Sequence, residues 1–193
     1  MEEALSSKMD IKAFIFDMDG LLFDSERIVQ RSWEMAGDEL GIPHMGDVIY
    51  HTLGMNRTGR NEYFRKYIRE DFPFEEFGKL TRDNFWKIVD KEGLPLKKGA
   101  KELLAYGKSQ GYKMAVATSS SREYAMGNLI RAGIDSHFDS VVCGDMVKKA
   151  KPDPEIYQKA CESLGIQPEY CMAFEDAPGG ILSAHQAGMH VIM

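Results

Sequence analysis

Carboxylates stand at two places where an apolar run stops: Asp17 and Asp19 in FIFDMDG, and Glu175-Asp176 in CMAFEDA. A third run, KMAVAT, ends in the hydroxyl of Thr118, and Lys151 lies in the basic loop KKAKPDPE ahead of a helix start. Each residue type has a chemistry. An aspartate can attack phosphorus and form an aspartyl-phosphate, and Asp17 is the candidate. Asp19, two residues on, is placed to give and take a proton at a leaving group. Asp17 with Asp176 or Glu175 offers hard oxygen ligands suited to magnesium, which is held by few carboxylates together with phosphate. A cation there also relieves repulsion between the carboxylates and an incoming phosphate. Thr118 can hydrogen-bond a phosphoryl oxygen, and Lys151 can balance charge at the nucleophile. Gly20 permits a sharp turn and close backbone approach. Singly, a Thr at a strand end, a lysine in a basic loop and an acidic helix start are ordinary surface features. Their coincidence at the ends of several strands points to a site.

The elements that must position them alternate. Residues Ile11 to Phe16 are expected as a first strand, covered on both faces. A helix is expected from Ser25, its N-cap, to Leu40, with Val29, Trp33, Ala36 and Leu40 on one face and Gly41 and Pro43 as the stop. Helices are then expected over 61–69 and 74–89, with no strand up to Lys91. After Pro95 the pattern predicts a helix from Ala100 to Gly111, then a strand from Lys113 to Thr118. Ser120 and Glu123 have capping-box spacing for a helix to Ala132. A strand over 140–143 follows, then a helix starting at Asp153-Pro154 and ending near Gly165. Tyr170 to Phe174 is the next strand, Ala177 to Ala187 a helix, and Met189 to Met193 a last strand. This alternation predicts an α/β fold, a Rossmann-like parallel sheet with helices on both faces. The core would comprise residues 1–22 and 96–193, and residues 23–95 would be an inserted all-helical unit.

Composition sets limits. The 193 residues are 44% hydrophobic and 28% charged, with a net charge of -6, so no basic footprint for nucleic acid is present. The three cysteines, Cys143, Cys161 and Cys171, have no metal-ligand spacing, and a reducing cytoplasm is the expected setting. The longest uninterrupted apolar run is five residues, Tyr170 to Phe174, so no membrane span is expected, and the first ten residues, MEEALSSKMD, lack an apolar signal core.

On these residues the sequence resembles the haloacid dehalogenase superfamily, in its phosphatase and phosphomutase branch with a helical cap. FDMDG resembles the first motif, AVATSS the second, AKPDPEIY the third and FEDAPGGI the fourth. The resemblance runs from about Ile11 to Met193, with the helical insertion at the position of the cap. It implies magnesium-dependent phosphoryl transfer in which Asp17 is the nucleophile, Asp19 the acid/base, Thr118 the phosphate-contacting hydroxyl, Ser119 a backbone donor to substrate and Lys151 the charge-balancing lysine. Magnesium would be held by Asp17, the backbone carbonyl of Asp19, Asp176 and Glu175, the last directly or through water. True dehalogenases lack the second aspartate of the first motif, so Asp19 favours phosphoryl chemistry.

Substrate choice would lie in the cap. The segment LGMNRTGR is similar to the substrate-contacting loop of sugar-phosphate members, with Asn56 and Arg57 as the residues to contact substrate. Thr81 stands where β-phosphoglucomutases are expected to have a lysine, which weakens a mutase reading. FDMDGLL and FEDAP resemble nucleotide and pseudouridine phosphatase-like members, which favours hydrolysis of a small sugar phosphate or nucleotide-like monoester. A β-phosphoglucomutase-like sugar phosphomutase is the alternative. Receiver domains also gather acids, a hydroxyl and a lysine at strand ends, but they lack a helical insertion and carry the phosphorylated aspartate on a middle strand. A monomer is expected. The sequence stops at Met193, where family members continue, so an uncovered sheet edge is a further expectation.

Overall fold

The computed structural model describes residues 10–52 and 57–193. In chain order the elements are β1 (Ala13–Phe16), α1 (Ser25–Glu39), α2 (Met45–Thr52), α3 (Arg57–Tyr67), α4 (Phe74–Glu92), α5 (Ala100–Ser109), β2 (Lys113–Thr118), α6 (Arg122–Ala132), β3 (Ser140–Cys143), α7 (Glu155–Leu164), β4 (Cys171–Phe174), α8 (Pro178–Gln186) and β5 (His190–Ile192). The chain divides into two units, Met1–Leu22 with Leu96–Met193, and Phe23–Pro95.

The first unit is built on a five-stranded sheet of order β3-β2-β1-β4-β5, every pair parallel. The parallel α/β expectation is met. Phe16 at the end of β1 is in register with Val116 of β2 and Phe174 of β4, so the residues after these strands emerge side by side. Side-chain alternation sorts the two faces. Ala13, Ile15, Ala115, Ala117 and Ala173 form one face, and their small size lets Ile156, Tyr157 and Ala160 of α7 pack against the strands. The other face is aromatic. Phe16 stacks on Phe174 with centroids 4.8 Å apart, and Phe14 stacks on Tyr112 at 4.2 Å. Burying each such ring stabilises the fold by roughly 1.5–3 kcal/mol.

The second unit is all helical, with α1 packed on α2 and α4. Trp33, Met45, Phe64, Phe72 and Phe77 lead its core, and Trp33 meets Phe64 and Phe77 edge-on at 5.6 Å. The chain enters and leaves this unit side by side, since Asp24 N–H donates to the Pro95 carbonyl at 2.8 Å.

Several local expectations shift. Helix α2 is an addition: Met45, Val48, Ile49 and Thr52 are buried at helical spacing, but the preceding Gly41 and Pro43 and the short length concealed it. Helix α3 starts at Arg57 and ends at Tyr67, not over 61–69. Ser25 is the first helical residue of α1 and not its cap, because the tie between Asp24 and Pro95 puts Asp24 at the cap position. Tyr170 belongs to a short 3-10 turn, Pro168–Tyr170, that precedes β4. The cap of α6 is Ser121, whose hydroxyl accepts from Tyr124 N–H at 3.4 Å; Ser120 is not the cap, and its hydroxyl is used elsewhere.

Candidate active site

The ends of β1, β2 and β4 bring a charged cluster together. Lys151, in the loop before α7, places Nζ 2.6 Å from Asp17 Oδ1, 2.5 Å from Glu175 Oε1 and 3.0 Å from the Ala117 carbonyl. The lysine side chain is only 9% exposed, so these three acceptors, with the Tyr157 hydroxyl at 3.4 Å, replace water as its partners. Its position follows from α7, whose first turn is secured by Asp153 Oδ1 accepting from Glu155 N–H at 3.1 Å.

A residue not singled out from the sequence completes this arrangement. Tyr157, one turn into α7 and wholly buried, donates its hydroxyl to Glu175 Oε1 at 2.6 Å. Burial and the Glu175 carboxylate push its phenol well above the ordinary range, so it stays a donor. The signal was available in AKPDPEIY: a tyrosine six residues after the lysine, on the apolar face of the helix.

Two glycines make room for the acids. Gly20 has φ +85, and a Cβ there would collide with the Asp176 carboxylate. A Cβ on Gly180, in the first turn of α8, would fall on the Glu175 carboxyl group.

Asp17, Glu175 and Asp176 each offer an oxygen within 4.8 Å of the others. Asp17 is pushed up from 3.8 to about 7, chiefly by burial, with Lys151 opposing and Glu175 and Asp176 adding to the rise. One lysine against three neighbouring carboxylates leaves negative charge uncompensated. A hard divalent cation fits this all-oxygen donor set.

Thr118 is buried, and its Oγ1 accepts from Ser120 N–H at 3.1 Å, which leaves the hydroxyl proton to donate. Ser119 is exposed beside it. Asp19 lies on the turn after Asp17 and accepts at both oxygens: Ser120 Oγ donates to Oδ2 at 2.7 Å and Tyr124 OH to Oδ1 at 3.1 Å. Burial and then Asp19 itself hold the Tyr124 phenol far above its ordinary range. The structure thus brings Asp17, Thr118, Lys151, Glu175 and Asp176 to one sheet edge, with Asp19 on the adjoining turn. Asn56 and the side chain of Arg57 lie outside the described residues.

The helical unit has a cavity of about 400 Å3 with an aromatic wall of Trp33, Phe64 and Phe77. Arg60, whose guanidinium lies 5.8 Å from the Trp33 ring centroid, and Arg82 also line it. Thr81 lines it too, and its buried Oγ1 has no hydrogen-bond partner among the described residues.

Acids, a hydroxyl and a lysine are thus gathered at the carboxyl edge of a parallel sheet, where open α/β folds place their ligands. The family described as haloacid dehalogenase-like hydrolase matches residues 11–188, and the chain belongs to that family. It is an enzyme of the phosphoric monoester hydrolase class. It is 33% identical over 182 residues to the phosphorylated carbohydrates phosphatase of Thermotoga maritima, covering 94% of this chain and 84% of that protein. It is 32% identical over 184 residues to hexitol phosphatase A of Escherichia coli K12, covering 95% and 83%. The crystal structure of β-phosphoglucomutase from Clostridium difficile is similar with a TM-score of 0.67 at 25% identity, covering 94% of this chain and 83% of that one. Among the described residues no helix is long and apolar enough to cross a membrane.

Proposed function

We propose that the protein is a magnesium-dependent phosphatase of small phosphorylated metabolites, sugar phosphates or nucleotide-like monoesters, working through an aspartyl-phosphate on Asp17. The observation that supports this most is Lys151 held between Asp17 and Glu175 within the three-carboxylate cluster. In this reading Asp17 attacks phosphorus while Asp19 protonates the leaving alcohol. Asp19 then takes a proton from the water that hydrolyses the aspartyl-phosphate. Thr118 donates to a phosphoryl oxygen, the Ser119 backbone adds a second donor, and Lys151 offsets charge at the nucleophile. Asp17, Asp176, Glu175 and the Asp19 carbonyl would hold magnesium, which when bound supplies charge neutralisation for the phosphoryl group. Residues 23–95 act as the cap and select the substrate, with Asn56 and Arg57 as contacts. A monomer in the cytoplasm completes the reading.

The relatives support hydrolysis, since two of those above are phosphatases by name. The likeness to a β-phosphoglucomutase keeps a sugar phosphomutase as the second reading. The test is phosphate release from a panel of sugar phosphates, nucleotides and simple phosphomonoesters, with and without magnesium. Asp17→Asn serves as the blank and Arg57→Ala as the probe of selection. Magnesium-dependent release that Asp17→Asn abolishes, and a raised KM in Arg57→Ala, are expected. Isomerised product with little free phosphate would establish the mutase instead.

A further inference from the structure

We propose that Ser120 and Tyr124 are positioning residues for Asp19, a pair of hydroxyls that fixes the carboxylate plane for proton transfer. The inference rests on the phosphatase reading and adds to it a means by which the proton carrier is aimed.

The geometry has three parts. Asp19 sits on a turn beyond β1, where a side chain alone has free rotation about two bonds. Each of its oxygens accepts one hydrogen bond, from Ser120 Oγ at 2.7 Å and from Tyr124 OH at 3.1 Å. A carboxylate oxygen has room for a further bond, so both remain able to hold a substrate or water proton. Two bonds to different oxygens set the plane, which one bond would not.

The donors are themselves held. Ser120 N–H donates to Thr118 Oγ1 at 3.1 Å, and its carbonyl accepts from Gly144 N–H at 2.9 Å. Gly144 has no room for a Cβ, because the Ser119 carbonyl occupies that position. Tyr124 stands in the first turn of α6, where Ser121 caps its N–H and Asn128 Nδ2 donates to its carbonyl at 2.9 Å. Helix capping therefore needs Ser121 and leaves the Ser120 hydroxyl for Asp19. Through Ser120, the residue proposed to contact phosphate, Thr118, is joined to the residue proposed to move the proton.

The two proton steps define the test. In the first, the bond from Asp17 oxygen to phosphorus forms, the bond from phosphorus to the leaving oxygen breaks, and a proton passes from Asp19 to that oxygen. In the second, water oxygen bonds to phosphorus, the Asp17–phosphorus bond breaks, and a proton passes from water to Asp19. An alkyl phosphomonoester needs Asp19 in both steps. With 4-nitrophenyl phosphate the leaving group departs without a proton, so only the second step needs Asp19.

Tyr124→Phe and Ser120→Ala are each expected to lower kcat about ten-fold on the best alkyl substrate of the panel, with KM within about two-fold. In rapid mixing with 4-nitrophenyl phosphate, each variant should release its first equivalent of nitrophenolate at the wild-type rate and then slow. Ser120→Thr, which restores a hydroxyl, should recover kcat. The two substitutions lie on different segments, so a folding defect in one, seen by thermal melting, leaves the other as the test. Variants with kcat within two-fold of wild type, or with both phases lowered in proportion, overturn the proposal. Absence of magnesium-dependent phosphate release by the wild-type protein overturns the phosphatase reading itself, and this proposal with it.

Discussion

The Tyr157 hydroxyl donates to Glu175 Oε1 at 2.6 Å from a wholly buried ring, and Lys151 reaches the same oxygen at 2.5 Å. Glu175 is 1% exposed, so these donors stand in for water. Its carboxylate is therefore held by α7 and the loop before it, and not by β4, which ends one residue earlier.

Removing one of the two donors should be felt in both stability and rate. Tyr157→Phe keeps the ring and deletes the bond, and is expected to lower stability by about 1–3 kcal/mol. Glu175 then relies on Lys151 alone, and kcat should fall several-fold. Urea melts and steady-state kinetics of the purified variant check this. Unchanged stability together with unchanged kcat would show that the bond does neither job.

Adjacent glycines in α8 offer a matched pair. A Cβ at Gly180 meets the Glu175 carboxyl group, whereas a Cβ at Gly179 has nothing within 4 Å. Gly180→Ala should destabilise by about 1–3 kcal/mol and lower activity with it. Gly179→Ala should be neutral or gain a few tenths of a kcal/mol from helix propensity. Melting both variants side by side decides the point, and equal behaviour would contradict the close approach.

The pH dependence of the metal-free protein follows from Asp17, raised from 3.8 to about 7 mainly by burial. A carboxyl raised in the fold keeps its proton after the unfolded chain has released it. Stability from this group is thus present at low pH, falls as pH rises from about 4 to about 7, and is fully lost above that. Asparagine carries no such charge. With chelator at pH 8, Asp17→Asn should melt roughly 5 °C above wild type, and the gap should close toward pH 4. Magnesium should narrow the gap at pH 8 by stabilising wild type. Melting curves that coincide at every pH would show that ionised Asp17 is no burden to the fold.

Local signals carried much of the fold. FIF, MAVA and CMAF read as strands because each is a short apolar run, and their polar ends mark where the sheet edge meets solvent. Gly165 and Gly188 stop helices α7 and α8 at the sequence level because their left-handed backbone suits few other residues. Choices between neighbours of like chemistry were not legible. Ser120 and Ser121 are equally good caps by type, and Asp19, about a hundred residues upstream, claims Ser120. Helix α2 was hidden because Gly41 and Pro43 dominate the local pattern, and only packing of Met45, Val48 and Ile49 against Trp33 and Phe64 reveals it.

The sequence by itself determined the α/β class, the acids and hydroxyl at strand ends and the lysine ahead of α7, since each is written in a few consecutive residues. Tertiary structure decided the order β3-β2-β1-β4-β5, which seats β1 between β2 and β4 and makes their ends converge. It also decided that Lys151 meets Asp17 and Glu175, that Tyr157 holds Glu175, and that Ser120 and Tyr124 meet Asp19. The physical reason is distance along the chain. A hydrogen bond between residues 134 apart, as for Lys151 and Asp17, has no signature in either segment and exists only once the strands have paired and α7 has packed on their alanine face.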